Sequence, residues 1–309
     1  MEKISVVVPC YNEEDVVYIF HAELLKTIKQ MDVSYEIIFI NDGSKDKTLN
    51  KLEDMHKLDT NVVVLDFSRN FGKEAGILAG LEAATGDYVC IMDVDLQDPP
   101  SLLPEMLDSI KNEGFDCVAS RRVSRKGEPL IRSFFARNFY KLINKYSDVK
   151  IVDGARDFRL MTKQMVASIL ELREYHRFSK GIFEWVGYNT KYLEFENVER
   201  VAGETSWSFW GLFKYAIEGI VGFTTAPLRV ATYSGIFVSI ASFIYMIFVF
   251  GKALLYGDPV AGYPSMMVVI LFLGGIQLLS LGIIGEYLAK TYMESKRRPS
   301  YFIKKTYRN

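Results

Sequence analysis

Short, nearly continuous apolar runs alternate with amphipathic stretches over the first 120 or so residues. Residues 4–8, 36–40, 62–65 and 88–92 are of strand length and rich in Val and Ile, and 117–119 is a shorter run of the same kind. Between them, residues 14–29, 46–58, 74–84 and 102–111 carry their apolar positions at helical spacing. Strands that are apolar on both faces, separated by helices, predict an α/β fold with a parallel sheet covered on both sides. Such sheets bind ligands beyond the carboxyl ends of their strands. That rule singles out residues 9–12, 41–44, 67–73 and 93–98.

The pattern changes near the end of the chain. Residues 230–251 and 264–285 hold no charged side chain, and each is about 33 Å long as a helix, enough to cross a hydrocarbon core. The connection contains Gly257, Asp258, Pro259 and Gly262, a turn composition that predicts antiparallel spans. Ahead of them, Trp207, Trp210, Phe213, Ile217 and Ile220 repeat at helical spacing, which predicts an interfacial amphipathic segment over 207–229. Gly275 and Gly282 in the second span suit either close packing, against the first span or in a homo-oligomer, or the ordinary glycine content of membrane helices.

Charge sets the orientation. The chain as a whole is at −1, which gives no basis for a nucleic-acid partner. From Val230 onward there are eight Lys/Arg against three Asp/Glu, and seven of the eight follow the second span. The positive-inside bias places a basic tail over 290–309, and the N-terminal domain with it, in the cytoplasm of a multi-pass protein of the inner membrane. Cys10, Cys90 and Cys117 lie in apolar runs without metal-ligand spacing and read as reduced core residues.

Chemistry is concentrated at the strand ends. No Gly-rich phosphate loop follows the first strand, where Pro9-Cys10-Tyr11-Asn12-Glu13-Glu14 is rigid, aromatic and acidic. In Asp93-Val94-Asp95-Leu96-Gln97-Asp98, alternation puts Asp93, Asp95 and Gln97 on one side. Three oxygen donors there suit Mg2+ or Mn2+, and the same residues also read as an acidic turn before a helix. Asp42 can accept from a base or ribose, or form an Asx-turn. The basic stretch with Arg121, Arg122, Arg125 and Lys126 is followed by Arg132 and Arg137 in a segment with many apolar residues from Leu130 to Leu142. That mixture suits phosphate recognition at a headgroup boundary, or an exposed basic helix face.

Four motifs in order, 8–14, 41–46, 68–74 and 93–100, resemble those of family 2 glycosyltransferases, and the resemblance extends over essentially the whole chain. Within the family the chain is similar to the polyprenyl-phosphate branch, which includes dolichol-phosphate mannose synthases and bacterial bactoprenol glucosyltransferases. It lacks the Q-x-x-R-W motif of processive polysaccharide synthases. The resemblance implies a GT-A nucleotide-sugar domain over 1–206, followed by the interfacial segment, a two-helix anchor over 230–289 and the tail.

The resemblance also implies roles. Pro9, Tyr11, Glu13 and Asp42 match positions that hold the nucleotide, and Lys73 of the third motif goes with that donor group. Asp93 and Asp95 match the D-x-D, with Asp95 the firmer metal ligand and Gln97 an auxiliary one. Asp157 matches the acidic residue assigned to catalysis, whose plainer reading is an ion pair with a neighbouring Arg. Arg121, Arg122 and Arg132 match arginines that meet acceptor or leaving phosphates, and Arg200 and Ser206 a loop closing over the donor. The expected reaction is metal-dependent, inverting transfer of a hexose, glucose from UDP-glucose, to undecaprenyl phosphate for cell-envelope glycosylation. UDP-N-acetylglucosamine or GDP-mannose as donor, and a non-catalytic membrane-anchored nucleotide-sugar-binding protein, are the alternatives.

Overall fold

The computed structural model describes residues 1–123, 144, 152–196, 221, 224–256 and 262–308. They form two compact units, Met1–Gly219 with Arg298–Asn309, and Ile220–Arg297.

The first unit is built on an eight-stranded sheet. In chain order its elements are β1 (Lys3–Cys10), α1 (Val17–Ile28), β2 (Ser34–Asn41), α2 (Thr48–Leu58), β3 (Val62–Phe67), α3 (Lys73–Ala83) and β4 (Tyr88–Ile91). There follow α4 (Leu103–Glu113), β5 (Cys117–Arg122), β6 (Ala155–Thr162), α5 (Lys163–Glu171), α6 (Ser179–Trp185) and β7 (Thr190–Phe195). The last strand, β8 (Ile303–Tyr307), comes from the C-terminus, and the strand order is β7-β5-β6-β4-β1-β2-β3-β8. β4, β1, β2 and β3 are mutually parallel, as are β5 and β7, whereas β6 and β8 pair antiparallel with their neighbours.

Both faces of the parallel block are buried, as its Val/Ile runs predict. On one side Val6, Val8, Ile37 and Phe39 pack with Phe20 and Leu24 of α1, and Leu52 and Met55 of α2 join the same core. Phe20 meets Phe39 edge to face at 6.2 Å. On the other side α3 lies so close that a Cβ on Gly80 would stand 2.1 Å from Val7 Cγ1. Only glycine permits that approach, which draws Lys73, at the start of α3, toward the strand ends.

The apolar pattern under-reads the second half of this unit. β6, α5, α6 and β7 were outside the predicted elements because charged residues interrupt them: Arg156, Asp157 and Arg159 lie within β6. Parts of the expected basic tail over 290–309 are regular secondary structure. Lys290 lies inside a helix that continues to Ser295, and β8 then joins the sheet at β3. β3 would otherwise be an uncovered edge, and pairing satisfies its open backbone groups.

The second unit is a helical hairpin of α7 (Ala226–Tyr256) and α8 (Tyr263–Ser295). Both helices are long and apolar enough to cross a membrane. They extend past the expected limits of 230–251 and 264–285 because the flanking residues continue the helix without a breaker. Pro227 lies in the first turn of α7, where its missing N–H has no partner to lose. Among the described residues, a Cβ on Gly274, Gly275, Gly282 or Gly285 would meet nothing within 4 Å. Within this unit Tyr287 donates to the Thr224 carbonyl at 2.6 Å. Apart from 221 and 224–229, the expected interfacial segment lies outside the described residues.

Candidate active site

The carboxyl ends of β1 to β4 converge as the α/β rule requires. The loops after β1 and β2 are stitched together. Asn12 donates its backbone N–H to Ser44 Oγ at 3.0 Å and accepts from the Lys45 amide at 2.8 Å, while the Glu13 amide donates to Thr48 Oγ1 at 2.8 Å. Pro9, one residue before the end of β1, lies next to Gly76 of α3, and Tyr11 beyond the strand is 43% exposed. An aromatic ring is therefore presented at the rim of the crevice.

Asp42 joins two of the strand-end loops. It is buried, and it accepts from the Phe71 amide at 2.6 Å and the Gly72 amide at 2.9 Å. Gly43 beside it has φ +64°, and a Cβ there would lie 2.5 Å from the Arg69 carbonyl carbon. The second and third strand-end loops thus touch through backbone, which a larger residue would prevent. Burial raises the Asp42 pKa, against the two amides that favour its ionised form.

The acidic turn after β4 follows the predicted alternation. Asp93, Asp95 and Gln97 are part-exposed, whereas Val94, Leu96 and Asp98 are buried. Leu96 adopts φ +56°, an uncommon conformation for a non-glycine residue. Two contacts shape the turn. Asp95 Oδ1 accepts from the Gln97 amide at 3.1 Å, and Arg156 reaches across from β6. Arg156 Nε meets both oxygens of Asp98 at 3.1 and 3.3 Å, and its Nη2 donates to Gln97 Oε1 at 3.3 Å. Burial pushes the Asp98 carboxyl up to about 6, in spite of Arg156.

Lys73 joins the two acidic elements. Its Nζ lies 2.6 Å from Asp93 Oδ1 and 2.5 Å from Asp157 Oδ2. Burial opposes the ammonium charge, but the carboxylates of Asp157 and Asp93 outweigh it and hold Lys73 well above its usual range. Burial likewise works against the Asp157 carboxylate, yet Lys73, Lys180 and Arg159 hold it well below the ordinary range. The first turn of α3 is anchored behind Lys73, because Glu74 accepts from the Ser179 amide at 3.1 Å and from its hydroxyl.

Asp157 therefore pairs with Lys73, not with an adjacent arginine as its plainer reading supposed. Arg156 faces Asp98 instead, and the fully buried Arg159 lies 3.9 Å over the Phe183 ring. Arg121 of β5 donates to the Asp153 carbonyl at 3.1 Å and to Glu194 at 3.2 Å, and the Arg122 amide donates to the Gly154 carbonyl at 2.9 Å. Arg132, Arg200 and Ser206 lie outside the described residues. Sequence reasoning missed the Lys73 bridge, the Arg156 clamp and Lys180. A pattern of residue types carries no sign of which basic side chain reaches which carboxylate.

The oxygen-rich turn also fits a divalent cation in kind. Asp93 and Asp95 offer two hard carboxylates, suited to an ion that takes few protein ligands. Among the described residues no set of three or more His, Cys, Asp or Glu forms a closed metal cage. The amide oxygen of Gln97 is already engaged by Arg156.

The eight-stranded, mostly parallel sheet with an acidic turn after its fourth strand is a GT-A-like fold. The family model for glycosyl transferase family 2 matches residues 5–170, and the model named GtrB C-terminal hairpin matches residues 226–291. The Bacillus subtilis (strain 168) protein CsbB is 48% identical over 301 residues, covering 97% of this chain and 91% of its own. The bactoprenol glucosyl transferase of Shigella phage SfII is 44% identical over 306 residues, 99% of both chains. The prophage bactoprenol glucosyl transferase homolog of Escherichia coli (strain K12) is 43% identical over 303 residues, 98% of this chain and 99% of its own. The chain belongs to glycosyl transferase family 2 and is a glycosyltransferase.

Proposed function

We propose that this enzyme transfers glucose from UDP-glucose to undecaprenyl phosphate with inversion, forming a polyprenyl-phosphate sugar for cell-envelope glycosylation. The observation that carries the reading is the convergence of Asp93 and Asp157 on Lys73 at the carboxyl ends of the strands. Similarity to bactoprenol glucosyl transferases along both units, helical hairpin included, supports the acceptor and the sugar.

In this reading an acceptor phosphate oxygen attacks the anomeric carbon as the bond from that carbon to the diphosphate breaks, and the electron pair leaves with UDP. A phosphate monoester is already ionised near neutral pH, so the nucleophile needs no strong base. Asp157 suits that demand. A carboxylate held so far below its usual pKa is a weak proton acceptor, so its part is electrostatic: it orients the ammonium of Lys73 and faces the positive charge that develops on the sugar. Lys73 supplies a fixed cation toward the departing diphosphate. Asp93 and Asp95 would hold Mg2+ or Mn2+, which when bound neutralises diphosphate charge. Arg156 keeps the turn bearing these carboxylates in place through Asp98 and Gln97. Tyr11 and Pro9 line the base side, Glu13 and Asp42 the ribose side, and Arg121 and Arg122, with Arg132, the acceptor phosphate. Arg200 and Ser206 belong to the donor-binding group in this reading.

The membrane reading follows from connectivity. The two membrane-length helices leave from the sheet-bearing unit, and the chain returns to that same sheet as β8. Two crossings satisfy this, with the catalytic unit and the C-terminus on one side. The basic residues after α8 favour the cytoplasm as that side.

The test is transfer of radiolabel from UDP-glucose, UDP-N-acetylglucosamine or GDP-mannose to undecaprenyl phosphate by the purified full-length protein. Chloroform-extractable, mild-acid-labile label from UDP-glucose alone is expected, abolished by EDTA and by Asp95→Asn and restored to the wild type by Mn2+ or Mg2+. Equal label from another donor would reassign the sugar. Turnover that survives EDTA would remove the metal.

A further inference from the structure

The loop over residues 68–72 is held from two sides. From within, Asp42 binds the Phe71 and Gly72 amides. From outside, the segment after α8 closes on it. The Ser68 amide donates to the Phe302 carbonyl at 3.0 Å, and a register shift at Asp66/Phe67 brings Phe67 opposite Ile303. Tyr301 stacks on Phe67 with centroids 5.0 Å apart and rings 14° from parallel. Phe67 in turn meets Phe71 edge to face at 5.7 Å, and Phe302 lies against Phe71 at 6.2 Å. The Tyr301 hydroxyl donates to Glu82 of α3, the helix that begins with Lys73.

Phe302 is 56% exposed, so it adds little to the core. Its ring is directed at the loop whose amides hold Asp42, and the loop hands directly to Lys73. An aromatic residue kept half in water at a sheet edge, with its ring against one loop, acts on that loop's geometry more than on the stability of the fold.

We propose that Tyr301 and Phe302 are positioning residues for the donor site: the chain leaving the helical hairpin braces loop 68–72, and so sets Asp42 and Lys73. The inference rests on the donor-site reading above. The brace acts in binding the nucleotide and takes no part in acceptor recognition. The segment that continues from the second membrane-length helix is thereby also part of the donor site's support.

The experiment uses full-length protein in detergent micelles with Mg2+, titrated calorimetrically with UDP and assayed with UDP-glucose and undecaprenyl phosphate. Phe302→Ala should weaken UDP binding and raise the donor KM by the same factor, roughly 3- to 10-fold for one lost aromatic contact. The acceptor KM should stay within about twofold of wild type on this reading. Amide exchange at residues 68–72 should accelerate while β1 and β2 keep their protection, and Phe302→Tyr should restore both binding and exchange. Unchanged UDP affinity and exchange in Phe302→Ala would overturn the brace while leaving the donor site intact. Faster exchange throughout β1 and β2 would also overturn it, since the contact would then be holding the fold as a whole. Failure of the wild type to bind UDP or UDP-glucose would reject the donor-site reading itself, and the brace with it.

Discussion

Lys73 Nζ stands 2.5 Å from Asp157 Oδ2, joining the start of α3 to strand β6 across 84 residues of sequence. The same ammonium touches Asp93 at 2.6 Å, so one side chain neutralises the acidic turn and the candidate catalytic carboxylate together. Removing it should leave Asp93 and Asp157 without the ammonium they share, with only Lys180 and Arg159 acting on Asp157. Lys73→Met is expected to lower kcat/KM about 100-fold, the scale of losing one preorganised electrostatic partner. Initial-rate transfer assays over a range of UDP-glucose check this, and a loss under threefold would show that the bridge is only structural.

Arg156 is the clamp on the acidic turn, and its geometry requires a planar fork. A lysine cannot meet both oxygens of Asp98 and the Gln97 amide oxygen at once. Arg156→Lys should therefore raise the donor KM by about tenfold with a smaller fall in kcat, from a loosened turn. Arg156→Met should go further and destabilise the domain by about 3–5 kcal/mol, because Asp98 would be left buried and unpaired. Denaturant unfolding of both variants separates the two effects.

Arg121 tests the acceptor side. Its guanidinium is held by the Asp153 carbonyl and by Glu194. The Glu194 pair is solvent-exposed and contributes little stability. Arg121→Ala should leave folding nearly intact and raise the KM for undecaprenyl phosphate by about tenfold, the loss of one charge-assisted contact, with little change for UDP-glucose. Equal effects on donor and acceptor would remove Arg121 from the acceptor site.

Glu36 gives a pH-dependent stability. It is buried at the opposite ends of β1 and β2, where it accepts from Ser5 Oγ at 2.5 Å, the Thr85 amide at 2.7 Å and Lys3 Nζ at 3.1 Å. Burial alone would raise its pKa, but the hydrogen bonds from Ser5, Thr85 and Lys3 outweigh it and hold the carboxyl below its ordinary value. A folded pKa below the unfolded value of about 4.3 adds stability that is complete above that pH. It is lost as pH falls through the folded pKa, where the carboxylate takes up a proton. Glu36→Gln should thus cost about 1–3 kcal/mol near neutrality, with the gap to wild type closing below about pH 4. Denaturant midpoints measured from pH 3 to 7 would show the two curves converging toward acid; parallel curves would contradict the assignment.

The strand-end rule worked because it depends on local information. Val and Ile runs bounded by Asn-Asp-Gly or Asp-Val-Asp mark a buried parallel strand and its exit in the order of residues alone. The motifs at 8–14, 41–46, 68–74 and 93–100, the membrane-length helices and the alternation across Asp93 to Asp98 were all legible in this way. Each is a property of neighbours in the chain, where side-chain period and residue type are enough.

The partners of those residues depend on the fold. Asp42, read as a ligand acceptor or an Asx-turn, also grips the amides of Phe71 and Gly72. Asp157, read beside its arginines, pairs with Lys73. Residues 303–307, read as part of a basic tail, complete the sheet against β3. In each case the deciding contact joins residues far apart in sequence, brought together only when Gly80 lets α3 settle on Val7 and the strands align. The residue order determined the elements and the chemical types placed at the strand ends. Tertiary packing decided which charges meet, because a salt bridge or an edge-strand pairing depends on distance in space, which no local pattern encodes.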